Sequence, residues 1–414
     1  MRKFGREADS AERLFAELCA QLYLRGFVFH SPKFRDPTEQ EAGDVVLWVR
    51  CDLIVFELLS RNPWASGGTK SFVKQIGRKR DQLTKDFRTY GDSSKIINMV
   101  NELREKIFYD HDCFISSNFC GVVIIDADSG IERLHFETVN KSLNQGFSIT
   151  FMMKQDFTDL LVEIDTVPDL LYYLKDRTAF AKTLFPEEPK HFLDLNHRLE
   201  RNLIGFYKLN HNSFPIERWR ASPDKMFWTQ YRNELGGQIQ LRDRQNADSL
   251  IFDEIIELLR NKNKPNDSTL LHSWELASLS RRFRAGLSKK LNMAFQGMLT
   301  QRSRRHFAFH NPSTECWSLF YFRYGGDSKS FIEEAERLTR MKVQVERVQC
   351  NFHYSVFCFA FRKSRIVTGN TFDECVLRIE DAERYPHVNT DDYQTALAYF
   401  RGNTGQEKIY EFPA

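Results

Sequence analysis

EAGDVVLWVRCDLIVFELLSRNP, residues 41–63, holds two apolar runs, Val45–Val49 and Leu53–Leu59, on either side of Arg50-Cys51-Asp52. Short apolar runs bounded by turn-forming residues read as strands, and two so close together read as a β-hairpin. Both faces of both strands are mostly apolar, which places the hairpin inside a sheet rather than at its edge. Asp44 and Glu57 interrupt that apolar character. With a two-residue loop at Cys51-Asp52, Arg50 faces Leu53, Trp48 faces Val55, Val46 faces Glu57 and Asp44 faces Leu59. Facing residues share a side, so the two carboxylates converge diagonally at the open end of the hairpin. Burying them is costly unless a cation or hydrogen bonds compensate. A divalent ion does so economically: Mg²⁺ takes one or two carboxylates and fills its other positions with water and phosphate oxygens. Bound there, it can polarise a phosphodiester and activate water. The competing reading leaves Glu57 at the sheet rim, solvated or paired with Arg61 or Lys33.

Outward from the hairpin, residues 10–25 predict a helix capped by Ser10, with Ala11, Leu14, Phe15, Leu18 and Leu22 on one stripe. The segments SPKFRDPTEQ and NPWASGG read as loops. A long helix is expected from about Lys70 to Tyr90, buried along Phe72, Ile76, Leu83, Phe87 and Tyr90 and ended by Gly91-Asp92. Lys79 falls on that buried stripe, with Gln75 and Gln82 beside it. A lysine so placed wants an anionic partner, and Asp44 and Glu57 are at hand, directly or through phosphate. Alternatively its stem covers apolar surface and its ammonium reaches solvent at the helix edge. Phe119–Ile125 is a further buried strand and Phe147–Met152 another, followed by two short helices. The order helix, hairpin, helix, strand makes the N-terminal part a mixed α/β domain.

At this point the residues resemble a known group. A helix, then an acid separated by twelve residues from a second acid within a hairpin, then a basic helix carrying glutamine, is similar to the restriction-endonuclease-like PD-(D/E)XK nuclease superfamily. The resemblance covers residues 1–130, extending towards 180, and implies a mixed sheet with helices on both faces. It implies Asp44 and Glu57 as Mg²⁺ (or Mn²⁺) ligands, Glu41 as a further metal candidate and Glu12 as the acid many members place on the first helix. Gln82 matches the glutamine that several subgroups carry on the following helix. The departure lies at position 59, where the family's lysine is replaced by Leu59. Leucine can neither orient water nor stabilise phosphorane charge. Three readings follow: Lys79 substitutes, with Lys70 or Lys74 next; the site is weak or dead and the fold only binds nucleic acid; or the leucine is itself a substitution.

The whole chain of 414 residues, 42% hydrophobic with 36 Phe, is long enough for two or three domains with their own cores. The expected division is 1–185 nuclease-like, 186–302 helical and 303–414 a small α+β domain, with PEEPK at 186–190 as the first boundary. Beyond residue 303, Trp317–Arg323 and His353–Phe361 read as strands and Asp327–Arg340 as a helix. Eight cysteines with no CxxC pair argue for reduced thiols and a cytoplasmic setting. No apolar stretch approaches the roughly 18 residues of a membrane span, and the charged start MRKFGREADS lacks the apolar region of a signal peptide. Motifs for a P-loop, a nucleophile elbow and a zincin are all missing.

A net charge of +3 excludes histone-like binding but leaves room for local basic faces. Lys70, Lys74 and Arg78 form one beside the carboxylates. Residues 281–305, with Arg281, Arg282, Arg284, Lys289 and Lys290 and no acid, form a second. Each is also readable as a solvated helix face, and the second as a surface for an acidic protein. The acidic stretch 370–392 reads as solvated surface, with Asp381 and Glu383 apart on a helix. Taken together, the chain is expected to be a metal-dependent nuclease, with DNA favoured over RNA, no membrane association, and room for a protein partner or self-association. Bacterial (antiphage) defence or DNA processing is the setting the resemblance implies. The alternative is a non-hydrolytic nucleic-acid-binding or scaffold subunit of the same fold.

Overall fold

The computed structural model describes residues 12–402 apart from 21–24, 37, 60–67, 102–103, 105, 127–146, 165, 185–196, 211, 223–225, 262–266, 312–313, 351–353, 364–373, 386 and 389. The predicted Ser10 cap, the NPWASGG loop and the PEEPK boundary lie outside the described residues. The chain divides into two compact units, Met1–Asp243 and Arg244–Ala414.

The N-terminal unit is mixed α/β. After a helix over 12–20 (α1) come β1 (Val28–His30), β2 (Lys33–Asp36), β3 (Thr38–Glu41), β4 (Val45–Val49), β5 (Asp52–Leu59) and helix α2 (Gly68–Tyr90). Then follow β6 (Ile97–Val100), β7 (Lys106–Phe108), β8 (Phe119–Ile125), β9 (Ser148–Met153) and helices α3 (Lys154–Glu163), α4 (Val167–Leu184), α5 (His197–Leu209) and α6 (Ile216–Ala221). The main sheet has the order β1-β4-β5-β8-β9. Its first three strands are antiparallel, and β5, β8 and β9 run parallel. A parallel pair needs a crossover, and α2 lies within the β5–β8 connection. The buried side of α2 carries Ile76 and Leu83. It packs so closely that a Cβ on Gly121 of β8 would stand 3.1 Å from Leu83 Cδ1. On the opposite side of the sheet, Phe56 meets Phe15 of α1 and Phe157 of α3 at ring separations of 5.3 and 5.2 Å. The sheet is therefore covered by helices on both faces, which explains its continuous apolar runs.

The hairpin forms one residue away from its expected loop. Val49 pairs with Asp52 and Val45 with Phe56, so the turn is Arg50-Cys51. Arg50 adopts φ +56°, and the Trp48 indole Nε1 donates to the Arg50 carbonyl at 2.6 Å. Moving the loop by one residue shifts the pairing by two, which preserves facing parity. Asp44, just before β4, donates its backbone N–H to the Phe56 carbonyl at 3.0 Å, and its carboxylate and that of Glu57 still converge, on Lys79.

A second sheet has the order β3-β2-β6-β7, wholly antiparallel. Its first two strands occupy the segment expected to be a loop, SPKFRDPTEQ. The α1 stripe also differs: Phe15, Ala16, Cys19 and Ala20 are buried, whereas Leu14 is 61% exposed.

The second unit takes up the helix α7 (Phe227–Asn261) from residue 244, then α8 (Asp267–Ala277), α9 (Arg281–Gln301), β10 (Arg304–His310), β11 (Trp317–Tyr324), α10 (Ser328–Cys350), β12 (Ser355–Lys363), β13 (Glu374–Asp381) and α11 (Thr390–Gly402). Its sheet runs β10-β11-β12-β13, with β11 and β12 parallel across α10. One face stacks Phe307 on Phe320 and Phe320 on Phe359, at 5.0 and 4.8 Å. The other face, with Leu319 and Tyr321, packs on Phe331, Ala335 and Leu338 of α10.

The expected helical middle domain is not a separate unit. Glu200 of α5 is bound by Arg177 of α4 at 2.6 Å, and Arg201 binds Asp159 of α3, so α5 belongs to the first unit. Helices α8 and α9 belong to the second unit: His272 of α8 bonds the Arg378 carbonyl of β13, and Phe283 of α9 meets Phe309 of β10. Asp381 ends a strand and receives the Ser355 hydroxyl at 2.6 Å, where a helix was expected. Among the described residues, no helix is long and apolar enough to cross a membrane.

Candidate active site

Asp44 enters the sheet from Gly43, whose φ is +100° and whose Cβ, if present, would lie 2.5 Å from Val55 Cγ1. Only glycine fits that turn without strain. The turn directs the Asp44 carboxylate along the sheet towards Glu57; the two are 6% and 3% exposed. Asp44 Oδ2 accepts the Leu58 backbone N–H at 2.6 Å. It also accepts Lys79 Nζ at 2.9 Å, and the same ammonium donates to Glu57 Oε2 at 2.7 Å. Lys79 thus stands between the two acids on the buried stripe of α2, not at the helix edge.

Burial, then the charge of Asp44, pushes the Glu57 carboxyl well above the usual range; Lys79 opposes this. For Lys79, burial alone would lower the ammonium's pKa, but Asp44 and Glu57 outweigh it and hold it above its ordinary value. The ammonium therefore stays charged while both acids are ionised. Asp86, two turns along α2 from Lys79 and fully buried, is pushed up to about 7, chiefly by burial. Gln82 Nε2 donates to its Oδ1 at 2.9 Å. Its Oδ2 is buried and meets no hydrogen-bond partner among the described residues.

A cleft of about 550 Å³ opens here. Its walls include Asp44, Glu57, Lys79, Gln82, Glu12, Glu41 and Arg78, together with Gln40, Leu58, Leu59, Gln75 and Lys85. The six residues expected to carry catalysis or metal therefore face one space. Glu12 lies 3.6 Å from His30 Nε2. Desolvation, then the charges of Glu12 and Asp44, raise the Glu41 carboxyl. Leu59 contributes an apolar wall two residues beyond Glu57. Asp86 was not among the expected site residues. Its signal was helical spacing, seven after Lys79 and four after Gln82, which puts all three on one face.

Among the described residues, no group of three or more His, Cys, Asp or Glu side chains is gathered to hold a metal. The two carboxylates instead converge on one cation, the Lys79 ammonium. That donor set fits Mg²⁺ or Mn²⁺ held through two carboxylates with water completing the shell, and does not fit a closed protein cage.

The basic faces fare differently. Lys74 and Arg78 are exposed on α2. The side chains of Lys70 and Arg282 lie outside the described residues. Arg281 and Arg284 are corrected: both bind Asp253, Arg281 at 2.6 Å. Arg284 is 3% exposed and caps the Ala277 carbonyl at 2.8 Å. They anchor α9 to α7, because α9 turns this edge inward; Lys289 is exposed and Lys290 half-buried. Compared with protein-family models, curated proteins and solved structures, the chain has no significant match in any of the three.

Proposed function

We propose that the chain is a metal-dependent phosphodiester hydrolase acting on nucleic acid, DNA in preference to RNA, with a restriction-endonuclease-like N-terminal unit. One observation carries the reading: Lys79 Nζ stands 2.9 and 2.7 Å from Asp44 and Glu57, on α2 rather than at position 59. The order α1, hairpin β4-β5, then α2, in a mixed sheet with helices on both faces, supports it, being what the family resemblance implies.

Asp44 and Glu57 would hold Mg²⁺ or Mn²⁺, which when bound polarises the phosphodiester and makes water nucleophilic near neutral pH. The chain's own groups do the rest. Lys79 carries a raised pKa, so it serves as a fixed positive charge for the developing phosphorane and not as a base. Leu58 N–H and Gln82 keep Asp44 and Asp86 in place. Arg78 at the cleft and Lys74 outside it take backbone phosphates, contacts that position the strand without reading sequence.

Cleavage of supercoiled plasmid, linear duplex, single-stranded DNA and RNA in Mg²⁺, Mn²⁺ and EDTA tests this. Metal-dependent cutting by the parent, lost in Glu57→Ala and reduced about 100-fold or more in Lys79→Ala, is expected. Removing either member of a buried ion cluster also costs about 3–5 kcal/mol of stability, so circular dichroism of each variant accompanies the assay, with Lys79→Arg as the charge-keeping variant. A folded parent that binds nucleic acid in a salt-sensitive way but cuts nothing would instead make the unit a binding module. In that case the ammonium simply neutralises the two acids.

A further inference from the structure

We infer that the outward face of the small sheet carries a single-stranded extension of the nucleic acid where it leaves the cleft, with Phe108 stacking on a base and Lys33 and Lys106 taking phosphates. The inference rests on the nuclease reading and names the substrate feature that reading leaves open.

The register builds the face. Glu41 pairs with Lys33, Lys33 with Asn98, and Asn98 with Phe108. Directly opposed residues share a side, so these four form one row across β3, β2, β6 and β7, and all four are exposed. With strands about 4.8 Å apart, the row runs about 14 Å outward. Its near end is Glu41, a wall of the candidate cleft. Its far end is Phe108, 68% exposed, with Ile96, just before β6, at 67% and Val100 of β6 at 41%. Val100 pairs with Lys106, and the exposed Arg104 stands just before it. The opposite side of the same strands is ordinary core: Phe34, Ile97 and Met99 are buried. The sheet is tied to the cleft from beneath, since Lys85 of α2 donates to Gln40 of β3 at 2.5 Å.

Two features choose the occupant. The face is continuous with the cleft, so whatever sits in one can extend over the other. Its apolar groups are interleaved with Lys33, Lys106 and Asn98, and do not form the contiguous apolar core of a protein interface. An aromatic ring among cations suits single strands, whose bases stack while their phosphates pair with lysine. A duplex keeps its bases stacked inside and gives Phe108 nothing to bind.

The test is fluorescence anisotropy in EDTA, where hydrolysis cannot intervene. The probes are a labelled hairpin duplex with an oligo-dT extension and the same hairpin blunt. The parent should prefer the extended probe. Phe108→Ala should lose at least about fivefold in affinity for it, Phe108→Trp should retain it, and the exposed aromatic control Tyr354→Ala should bind as the parent does. Lys33→Gln with Lys106→Gln should lower the salt slope on the extended probe by about 1.4. Equal affinity of Phe108→Ala and parent for the extended probe overturns the inference. So does a parent that sediments as a dimer while Phe108→Ala is monomeric, which would make this face a contact between copies. The two readings separate cleanly. A parent that cuts plasmid but ignores Phe108 keeps hydrolysis and loses the stacking face. A parent that needs Phe108 for the extension but cuts nothing does the reverse.

Discussion

Lys79 turns a departure from the family pattern into a candidate site. Its position was legible in the sequence because a lysine on a buried helical stripe needs an anion, and two unexplained carboxylates lay nearby. The burial of Asp86 was not legible. In the sequence, Asp86 reads as a counter-charge on a basic helix, and only the packing of α2 on β5 buries it. Asp52, at the far end of the hairpin, yields a prediction of its own. Burial pushes its carboxyl up to about 7; Lys175 and the Asn118 amide, which donates to Oδ1 at 3.0 Å, pull the other way. The folded chain therefore binds a proton that the unfolded chain releases near pH 4. The stabilising effect of that proton is complete below the unfolded pKa and is lost as pH rises to about 7. Urea denaturation at closely spaced pH values should show stability falling across that window, and a shallower fall in Asp52→Asn. An identical slope in the variant would remove Asp52 as its cause.

Among the elements, the hairpin was legible because both strands are apolar on both faces. The loop was misplaced by one residue because hydrophobic pattern fixes parity and not the turn, and Arg50 with its left-handed φ carries no compositional signal. Strands β2, β3 and β13 escaped for a different reason. KFRD and TEQE are mostly or wholly polar, ECVLRIED breaks its apolar residues with charged ones, and nothing in an isolated sequence says which sheet will pair them. The helix α1 was seen, but beside Phe15 its buried side is built from Ala16, Cys19 and Ala20, small residues that score below the exposed Leu14. Contact between α2 and β8 sets the position of Lys79, and Gly121 permits that contact. Gly121→Val should force Leu83 outward, cost about 1–3 kcal/mol by overpacking, and lower cleavage by more than Gly121→Ala does. Measured by denaturation and single-turnover cleavage, equal effects of the two variants would mean that this packing does not position the lysine.

At the scale of the molecule, the sequence suggested three domains and the chain folds as two units. Composition marked residues 186–302 as helical, which is correct for the described part, but composition cannot say which core a helix joins. Long-range pairs decide that: Arg177 with Glu200 in the first unit, and His272 with the Arg378 carbonyl in the second. The same inward turn removes Arg281 and Arg284 from the basic surface, so the proposed nucleic-acid contact rests on α2 and the cleft. The most direct measurement moves the lysine. Glu57 and Leu59 share a face of β5, so Leu59→Lys would place an ammonium where the family pattern has one. Single-turnover cleavage of plasmid in Mg²⁺ would compare the parent, Lys79→Met, and Lys79→Met with Leu59→Lys. If Lys79 supplies the displaced charge, Lys79→Met should fall about 100-fold and the double variant should recover at least tenfold of that loss. A folded Lys79→Met protein that cuts as fast as the parent would contradict the assignment.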